Sequence, residues 1–239
     1  MLAKTVDAVS VLGLPVWVVL DGSTDGSAEG ITGCAGLSVI SLPQNVGKGG
    51  AVLAGMQAAH AQGITHALVM DADGQHDVTS VVPFIEASLR NPDAVVLGVP
   101  IFGVDAPIER VKGRRIGNWF ANLETLWLGI GDSLFGFRVY PIEKSVEILR
   151  SIRSARRFDF DTELAVRLVW AGIQPINVKT RVFYPPASAG GVTHFRYLRD
   201  NTLLVWTHAR LLVGMLCRIP RLLRLRKQWR SNAVMRSGN

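Results

Sequence analysis

Along the first hundred residues, short apolar runs end in turns and alternate with amphipathic stretches. Residues 16–20 run into "DGSTDGS", 37–42 precede "PQNVGKGG", 64–70 lead into "DADGQHD", and 94–99 form a further apolar run. Runs of this length, bounded by Gly, Pro, Asn and Asp, read as strands. Between them residues 51–61 are Ala-rich and helical in pattern, and residues 78–89 read as a helix to which Pro83 is an objection. Farther along, 118–128 reads as a helix, 134–140 as a strand stopped by Pro141, and 161–171 as a helix. That last helix turns Leu164, Leu168 and Val169 inward and stops at Gly172. "PPASAGG" at 185–191 reads as a flexible loop. The alternation predicts an α/β fold: a Rossmann-like, mostly parallel sheet flanked by helices. In such sheets ligands bind beyond the carboxyl ends of the strands, where the acid-rich turns at Asp21 and Asp71 both fall.

From residue 196 onward the character changes. A helix over 202–226 would gather Leu211, Leu212, Met215, Ile219, Leu222 and Leu223 on one side. Arg210, Arg218, Arg221 and Arg224 would fall on the other, with Pro220 as an interruption or kink. Charge sharpens this picture. The chain has 239 residues and a net charge of +7, but residues 196–239 carry ten Lys/Arg against one acid, Asp200, whereas the rest is slightly acidic. The basicity belongs to the tail, so no nucleic-acid partner is expected for the body. Six bases between Arg218 and Arg230 with no acid predict an amphipathic helix lying on an anionic membrane surface, where each nearby Lys or Arg contributes ~1 kcal/mol. Cys34 and Cys217 form neither a disulfide framework nor a metal knuckle, and no leader-like or uninterrupted membrane-spanning segment is apparent. The expected location is cytoplasmic, peripheral on the cytoplasmic face of the membrane.

The chemistry concentrates where residues 64–70 meet Asp71, Asp73 and Asp77. Carboxylates this close repel one another, and each loses hydration near a core. A calcium loop is excluded, because counting from Asp71 the sixth residue is His76 and the twelfth Val82. An aspartyl phosphoryl-transfer enzyme of the haloacid dehalogenase type, using Asp71 as nucleophile, remains an alternative. It would call for Thr or Val at Gln75 and for a later paired-acid motif. The third reading is a divalent cation, Mg²⁺ or Mn²⁺, shared between Asp71, Asp73 and the phosphates of a nucleotide.

"VVLDGSTDGS", "LPQNVGKGGAVLAGM", "HALVMDADGQHD", "DSLFGFRVYP" and "FDFDTELAVRLVWAG" occur in that order over residues 1–195. Together they resemble a family 2 glycosyltransferase of GT-A fold, nearest the dolichol-phosphate-mannose-synthase-like branch. "VTHFRYLRDN" and the basic helix after it further resemble members found with lipid-modifying pathways such as aryl-polyene pigments. The resemblance implies a transferase domain over 1–195, a membrane-associating tail over 196–239, a nucleotide-sugar donor, a lipid-linked acceptor, a divalent metal and inversion at the anomeric carbon. It gives Asp21 a nucleotide contact and Asp71 and Asp73 the metal, Asp73 more directly, with Gln75 as helper. Asp161 becomes the base candidate, with Phe160 in place of a family Glu, Glu163 two residues on and Asp132 as rival. If the acceptor is a lipid phosphate it is already ionised, and the base role shrinks to positioning. Arg114 and Arg115 match residues that face donor or acceptor phosphates. Arg138 reads as structural, and His194 and Arg196 match a closing loop. Simpler roles compete: an Asx turn for Asp21, a helix cap for Asp161, a solvated side chain for Lys48.

The resemblance also implies an opening strand and a Pro-x-Tyr-Asn-Glu-like turn, whereas this chain begins in what resembles the following helix. The expectation is therefore a sheet without that strand, its neighbours' edges left open, and a truncated, inactive relative that only binds membrane or a partner stands as a second alternative. Leu20 and Pro100 stand where the family often carries Asp and Arg, which leaves the donor's base and sugar open.

Overall fold

The computed structural model describes residues 2–24, 26, 31, 36–103, 108–152, 157, 159–183 and 197–237. The 185–191 loop, Cys34, His194 and Arg196 lie outside them. In chain order the elements are α1 (Leu2–Ser10), β1 (Val16–Asp21), β2 (Leu37–Leu42), α2 (Lys48–Ala61), β3 (His66–Val69), a 3₁₀ turn (Val78–Ser80), α3 (Val81–Arg90), β4 (Ala94–Ile101), α4 (Ile108–Glu124), β5 (Arg138–Pro141), α5 (Ile142–Ser151), α6 (Phe160–Ala171), β6 (Gln174–Arg181), α7 (Tyr197–Leu216) and α8 (Ile219–Ser237). β1 pairs with β2 in parallel, and a second sheet runs β3-β5-β4-β6. β4 and β6 are parallel, whereas β5 runs antiparallel to both of its neighbours.

β4 is the centre of the molecule. Val95, Val96 and Leu97 are fully buried, as a strand covered on both faces requires. Val95 and Leu97 join Met56 of α2, Tyr140 and Leu164 of α6 in the larger core, while Val96 joins Phe84 of α3 and Phe137 on the other face. β1 belongs to a third cluster, in which Val18 and Leu20 meet Val6 of α1. α2 packs against both sheets, with Val19 of β1 close enough to Gly55 that a Cβ there would sit 3.1 Å away. Among the described residues, neither the outer edge of β1 nor that of β3 has a strand partner.

Several expected boundaries move, each for a local reason. Pro83 does not break α3, because it falls in the first turn, where the backbone N–H it lacks has no intrahelical acceptor. β5 is shorter than 134–140, because the amides of Leu134 and Phe135 are spent on the Asp132 carboxylate rather than on a ladder. α4 starts ten residues before the expected 118, and its end is closed by Trp127 N–H donating to Asn122 O at 2.6 Å. That closure puts Leu126 and Trp127 in left-handed backbone (φ 49° and 55°), which bulky residues rarely adopt. α6 ends as expected, at Gly172 with φ 97°.

The tail is two helices, and the α7 and α8 segments are bent by 83° across the break near Pro220. Among the described residues no single helix is long and apolar enough to cross a membrane. The tail's polarity differs from expectation. Leu211, Met215 and Leu222 are buried as foreseen, but three of the arginines expected to face solvent also turn to the protein. Arg210 pairs with Glu163 at 3.0 Å, Arg218 stacks 4.6 Å from the Trp170 ring, and Arg221 donates to Ala171 O.

A Cβ at Gly98 in β4 would lie 2.6 Å from both the Phe135 ring and Phe137 O. Gly98→Ala is therefore expected to cost about 1–3 kcal/mol by overpacking. Calorimetry should show this as a melting point lowered by roughly 2–10 °C.

Candidate active site

The site is assembled at the carboxyl ends of β1 and β3. Asp21, the last residue of β1, accepts the Val46 amide on Oδ1 at 2.7 Å and the Gly47 amide on Oδ2 at 2.9 Å. These bonds tie the β2–α2 loop to β1, and Gly22 permits the approach, since a Cβ there would sit 2.5 Å from Asn45 N. The Asp21 carboxylate thereby fixes the start of α2, whose first residue is Lys48.

Lys48 is not a solvated surface lysine. Its side chain is 20% exposed, and Nζ lies 2.8 Å from Asp71 Oδ1 and 2.9 Å from Asp161 Oδ2. Gly136 makes the space, because a Cβ there would be 2.5 Å from Lys48 Nζ and 3.0 Å from Asp71 Oδ2. Burial alone would lower the Lys48 pKa. The facing carboxylates, Asp161 foremost and then Asp71, override it and raise the pKa above its ordinary value. Burial likewise pushes Asp71 up, but Lys48, and behind it His76, outweigh that and hold its carboxyl below the ordinary range.

Asp71 follows β3, and its N–H donates to His76 Nδ1 at 3.1 Å, which assigns the ring proton to Nε2. His76 is buried edge-on against Phe135 and Phe137, and burial lowers its pKa despite Asp71 nearby. Phe183 N–H donates to Gln75 O, so the acidic turn is stitched to the end of β6. Asp73 Oδ1 accepts the Gln75 amide at 3.0 Å in an Asx turn.

Asp161 lies one residue inside α6, buried at 2% exposure, with Asp159 at the N-cap position. The capping role therefore does not belong to Asp161. One of its oxygens meets Lys48, and Oδ1 is buried with no hydrogen-bond partner among the described residues. A buried carboxylate oxygen without a donor is unusual.

Asp132 is fully engaged. Oδ1 accepts from Arg114 Nη1 at 2.7 Å and from the Leu134 and Phe135 amides, and Oδ2 accepts from Asn118. A carboxylate with four donors holds a loop rather than a free lone pair for a proton. Arg114 is turned onto Asp132 and onto the Phe102 and Phe135 rings, whereas Arg115 is exposed. Arg138 is structural as expected. Completely buried, it donates to Phe135 O, Asp132 O and Asp161 O, fastening the 132–138 loop to α6. The structure thus brings together Asp71, Asp161 and Lys48, holds Asp21 and Asp73 beside them, and sets Asp132 and Arg114 in a supporting layer.

Sequence reasoning underrated Lys48 and overlooked His76. Both sit within "NVGKGG" and "DADGQHD", where a loop-borne lysine beside an acid cluster is a signal that charge pairing could have explained.

Comparison with known proteins gives the family and the fold. The family model for Glycosyl transferase family 2 matches residues 1–149. The chain belongs to that family. Curated relatives include a UDP-N-acetylglucosamine–dolichyl-phosphate N-acetylglucosaminyltransferase of Methanococcus voltae, 26% identical over 53% of this chain and 51% of that protein. Another is the dolichyl-phosphate beta-glucosyltransferase ALG5C of Trichomonas vaginalis, 30% identical over 62% of this chain and 47% of that protein. The chain thus spans about half the length of these relatives. Among solved structures, glucosyl-3-phosphoglycerate synthase from Mycobacterium tuberculosis, crystallised with Mn²⁺, UDP and glucosyl-3-phosphoglycerate, shares the fold at TM-score 0.55 and 18% identity. The match covers 90% of this chain and 73% of that one. The GT-A fold read from the sequence holds, with β5 adding antiparallel pairing to the parallel β1–β2 and β4–β6 pairs.

The donors present fit a shared cation rather than an all-protein cage. No group of three or more His, Cys, Asp or Glu converges among the described residues. One or two carboxylates completed by phosphate oxygens is, however, the set that Mg²⁺ takes.

Removing one partner of a buried ion pair typically costs about 3–5 kcal/mol. Lys48→Met should destabilise by an amount in that range, and adding Asp161→Asn should recover part of it in denaturant titrations. The sign with pH follows from Asp71. Its folded pKa is lowered, so its contribution is present above about pH 4 and is lost as pH falls through the folded value. That acid-side loss should be diminished in Lys48→Met.

Proposed function

We propose that this protein transfers a sugar from a nucleoside diphosphate, UDP or GDP, to a lipid-linked acceptor, inverting the anomeric centre, at the cytoplasmic surface of a membrane. The carrying observation is the Lys48 bridge, which holds an acid of the Asp-x-Asp turn and the buried Asp161 around one cation. Family membership supports the reaction class, and relatives named for dolichyl phosphate support a lipid phosphate as acceptor. Those same relatives disfavour Asp71 as a phosphoryl-transfer nucleophile.

In this reading an acceptor oxygen forms the new bond to the anomeric carbon as the carbon–oxygen bond to the diphosphate breaks, and the nucleoside diphosphate departs with the electron pair. Asp73 and Asp71, with Gln75 beside them, would hold Mg²⁺ or Mn²⁺, which supplies charge neutralisation to the leaving diphosphate. Lys48 lowers the pKa of Asp71 and holds Asp161 beside it. An ionised phosphate acceptor needs no base, and Asp161 then positions it. A hydroxyl acceptor would surrender its proton to Asp161, whose Oδ1 has no hydrogen-bond partner among the described residues. Asp21 acts through the loop it anchors, which sets the start of α2. Arg114 orders the 132–138 loop through Asp132, and Arg115 is free to meet phosphate. The domain division follows: residues 1–195 transfer, and 196–239 hold the enzyme at the surface where its acceptor lies. The cations of α8 favour the anionic cytoplasmic leaflet.

Thermal unfolding with UDP or GDP, with and without Mn²⁺, tests this directly. A ligand at 100 times its dissociation constant adds ~2.7 kcal/mol, a rise of roughly 5–10 °C for a chain this size. The expected result is a metal-dependent rise with one nucleotide that Asp73→Asn abolishes. A cooperatively folded protein showing no rise with either nucleotide would overturn the reading.

A further inference from the structure

α7 carries apolar residues on both of its sides: Leu211 and Met215 are buried in the core, and a second apolar row faces outward. Its protein-facing side carries Thr207 and His208, with His208 Nδ1 2.7 Å from the buried Glu124 and Thr207 donating to Asp159. Arg210 on the same helix reaches Glu163. The outward side carries Val205 (70% exposed), Trp206 (61%), Val213 (67%) and Leu216 (60%). With the exposed Ala209 among them, their spacing makes one continuous stripe without a charge.

α4 extends this surface. Phe120 packs on the His208 ring with centroids 5.3 Å apart, so Ile116, one turn earlier on the same helix face, lies next to α7. Ile116 and Trp119 are both exposed, and Trp127 stands edge-on to Trp119 at 6.4 Å. Trp127 is presented there by the left-handed backbone that ends α4. On α4 the exposed Lys112 and Arg115 flank this row in sequence, and α8, which follows α7 after the bend, carries the exposed Arg224, Lys227 and Arg230.

We propose that the outward faces of α7 and α4, centred on Trp206 and Trp119, form one surface that seats in the headgroup boundary of an anionic phospholipid bilayer. Tryptophan favours that boundary, having an apolar body and one polar N–H. Among the residues whose side chains are described, these charges are all positive, so they suit anionic headgroups, whereas a second copy of the chain would oppose like charges. The proposal deepens the membrane reading above and rests on it. It moves the main apolar contact from the basic helix to α7 and α4, with α8 supplying attraction at the rim. Because α7 is bonded to α6 through Glu163 and Asp159, and α4 carries Arg114, the same contact would fix the bilayer's position relative to Asp161.

The test is flotation of the 239-residue chain with vesicles of equal parts phosphatidylglycerol and phosphatidylcholine. Trp119→Gln/Trp206→Gln/Val213→Gln is compared with Arg224→Gln/Lys227→Gln/Arg230→Gln. The apolar variant is expected to keep the wild-type melting point and to bind at least about tenfold more weakly even in high salt, where the charge variant and wild type converge. Brominated phosphatidylcholine should quench a component of the emission that Trp206→Phe removes. A loss under about threefold in the apolar variant, or absent quenching, overturns the proposal. So does self-association without vesicles that the same three substitutions abolish, because the face would then join two copies of the chain. Nucleotide-induced stabilisation is read separately, so failure of the donor site and failure of this surface give different results.

Discussion

The site depends on one ammonium group placed between two carboxylates that come from distant parts of the chain. Asp71 ends β3 and Asp161 begins α6, and without Lys48 their charges would face each other in a partly dehydrated space. The lysine can be there only because three other features agree. Asp21 grips the loop before α2 and sets the lysine's origin. Gly136 leaves the volume that its Nζ occupies. Arg138, buried among carbonyl oxygens, ties the Gly136 loop to the backbone of Asp161. Each interaction alone is modest. Together they couple the β1–β2 sheet, the four-stranded sheet and α6 through a single charge.

A second layer of polar contacts fastens the tail to this centre. Glu163, two residues after Asp161, is buried between Arg167 and Arg210, so the first turn of α6 faces Lys48 on one side and α7 on another. Glu124 is buried with His208 at its side, and burial pushes its carboxyl above the usual range despite that bond. Buried polar groups of this kind add little net stability, but they fix one orientation of α7. That orientation buries Thr207 and His208 beside Leu211 and Met215 and turns a second apolar row, Val205, Trp206, Val213 and Leu216, outward.

This second, outward row marks the limit of what could be read from the sequence. Strand and helix order was legible because β1, β2, β3 and β4 are apolar runs ended by Gly, Asn or Asp, and because α6 ends at a glycine. Asp71, Asp73 and Asp161 were legible as candidate site residues from an ordered set of motifs. Contacts made across long sequence separations were hidden. Periodicity assigned the tail arginines to solvent, because it cannot see that Glu163 waits 47 residues earlier. It extended β5 back to residue 134, because it cannot see amides diverted to a carboxylate. Lys48 was read as solvated for the same reason, since the partners that hold it lie 23 and 113 residues away.

The acidic turn after β3 shows how one run of carboxylates can serve different ends. Asp77 is answered locally, by the amide and hydroxyl of Thr79. Asp71 is answered at long range, by Lys48. Asp73 has only the amide of Gln75, a dipole, and no lysine or arginine pairs with it among the described residues. Among the described residues neither Asp73 nor Asp77 pairs with a lysine or arginine, and Asp73 makes the fewer hydrogen bonds of the two. A cation bound at this turn, as proposed above, would gain most at Asp73. Asp71 offers less, because its attraction is already shared with Lys48. This ordering follows from the charge pairs themselves, and it makes Asp73 the residue on which recognition of a metal–diphosphate ligand would turn.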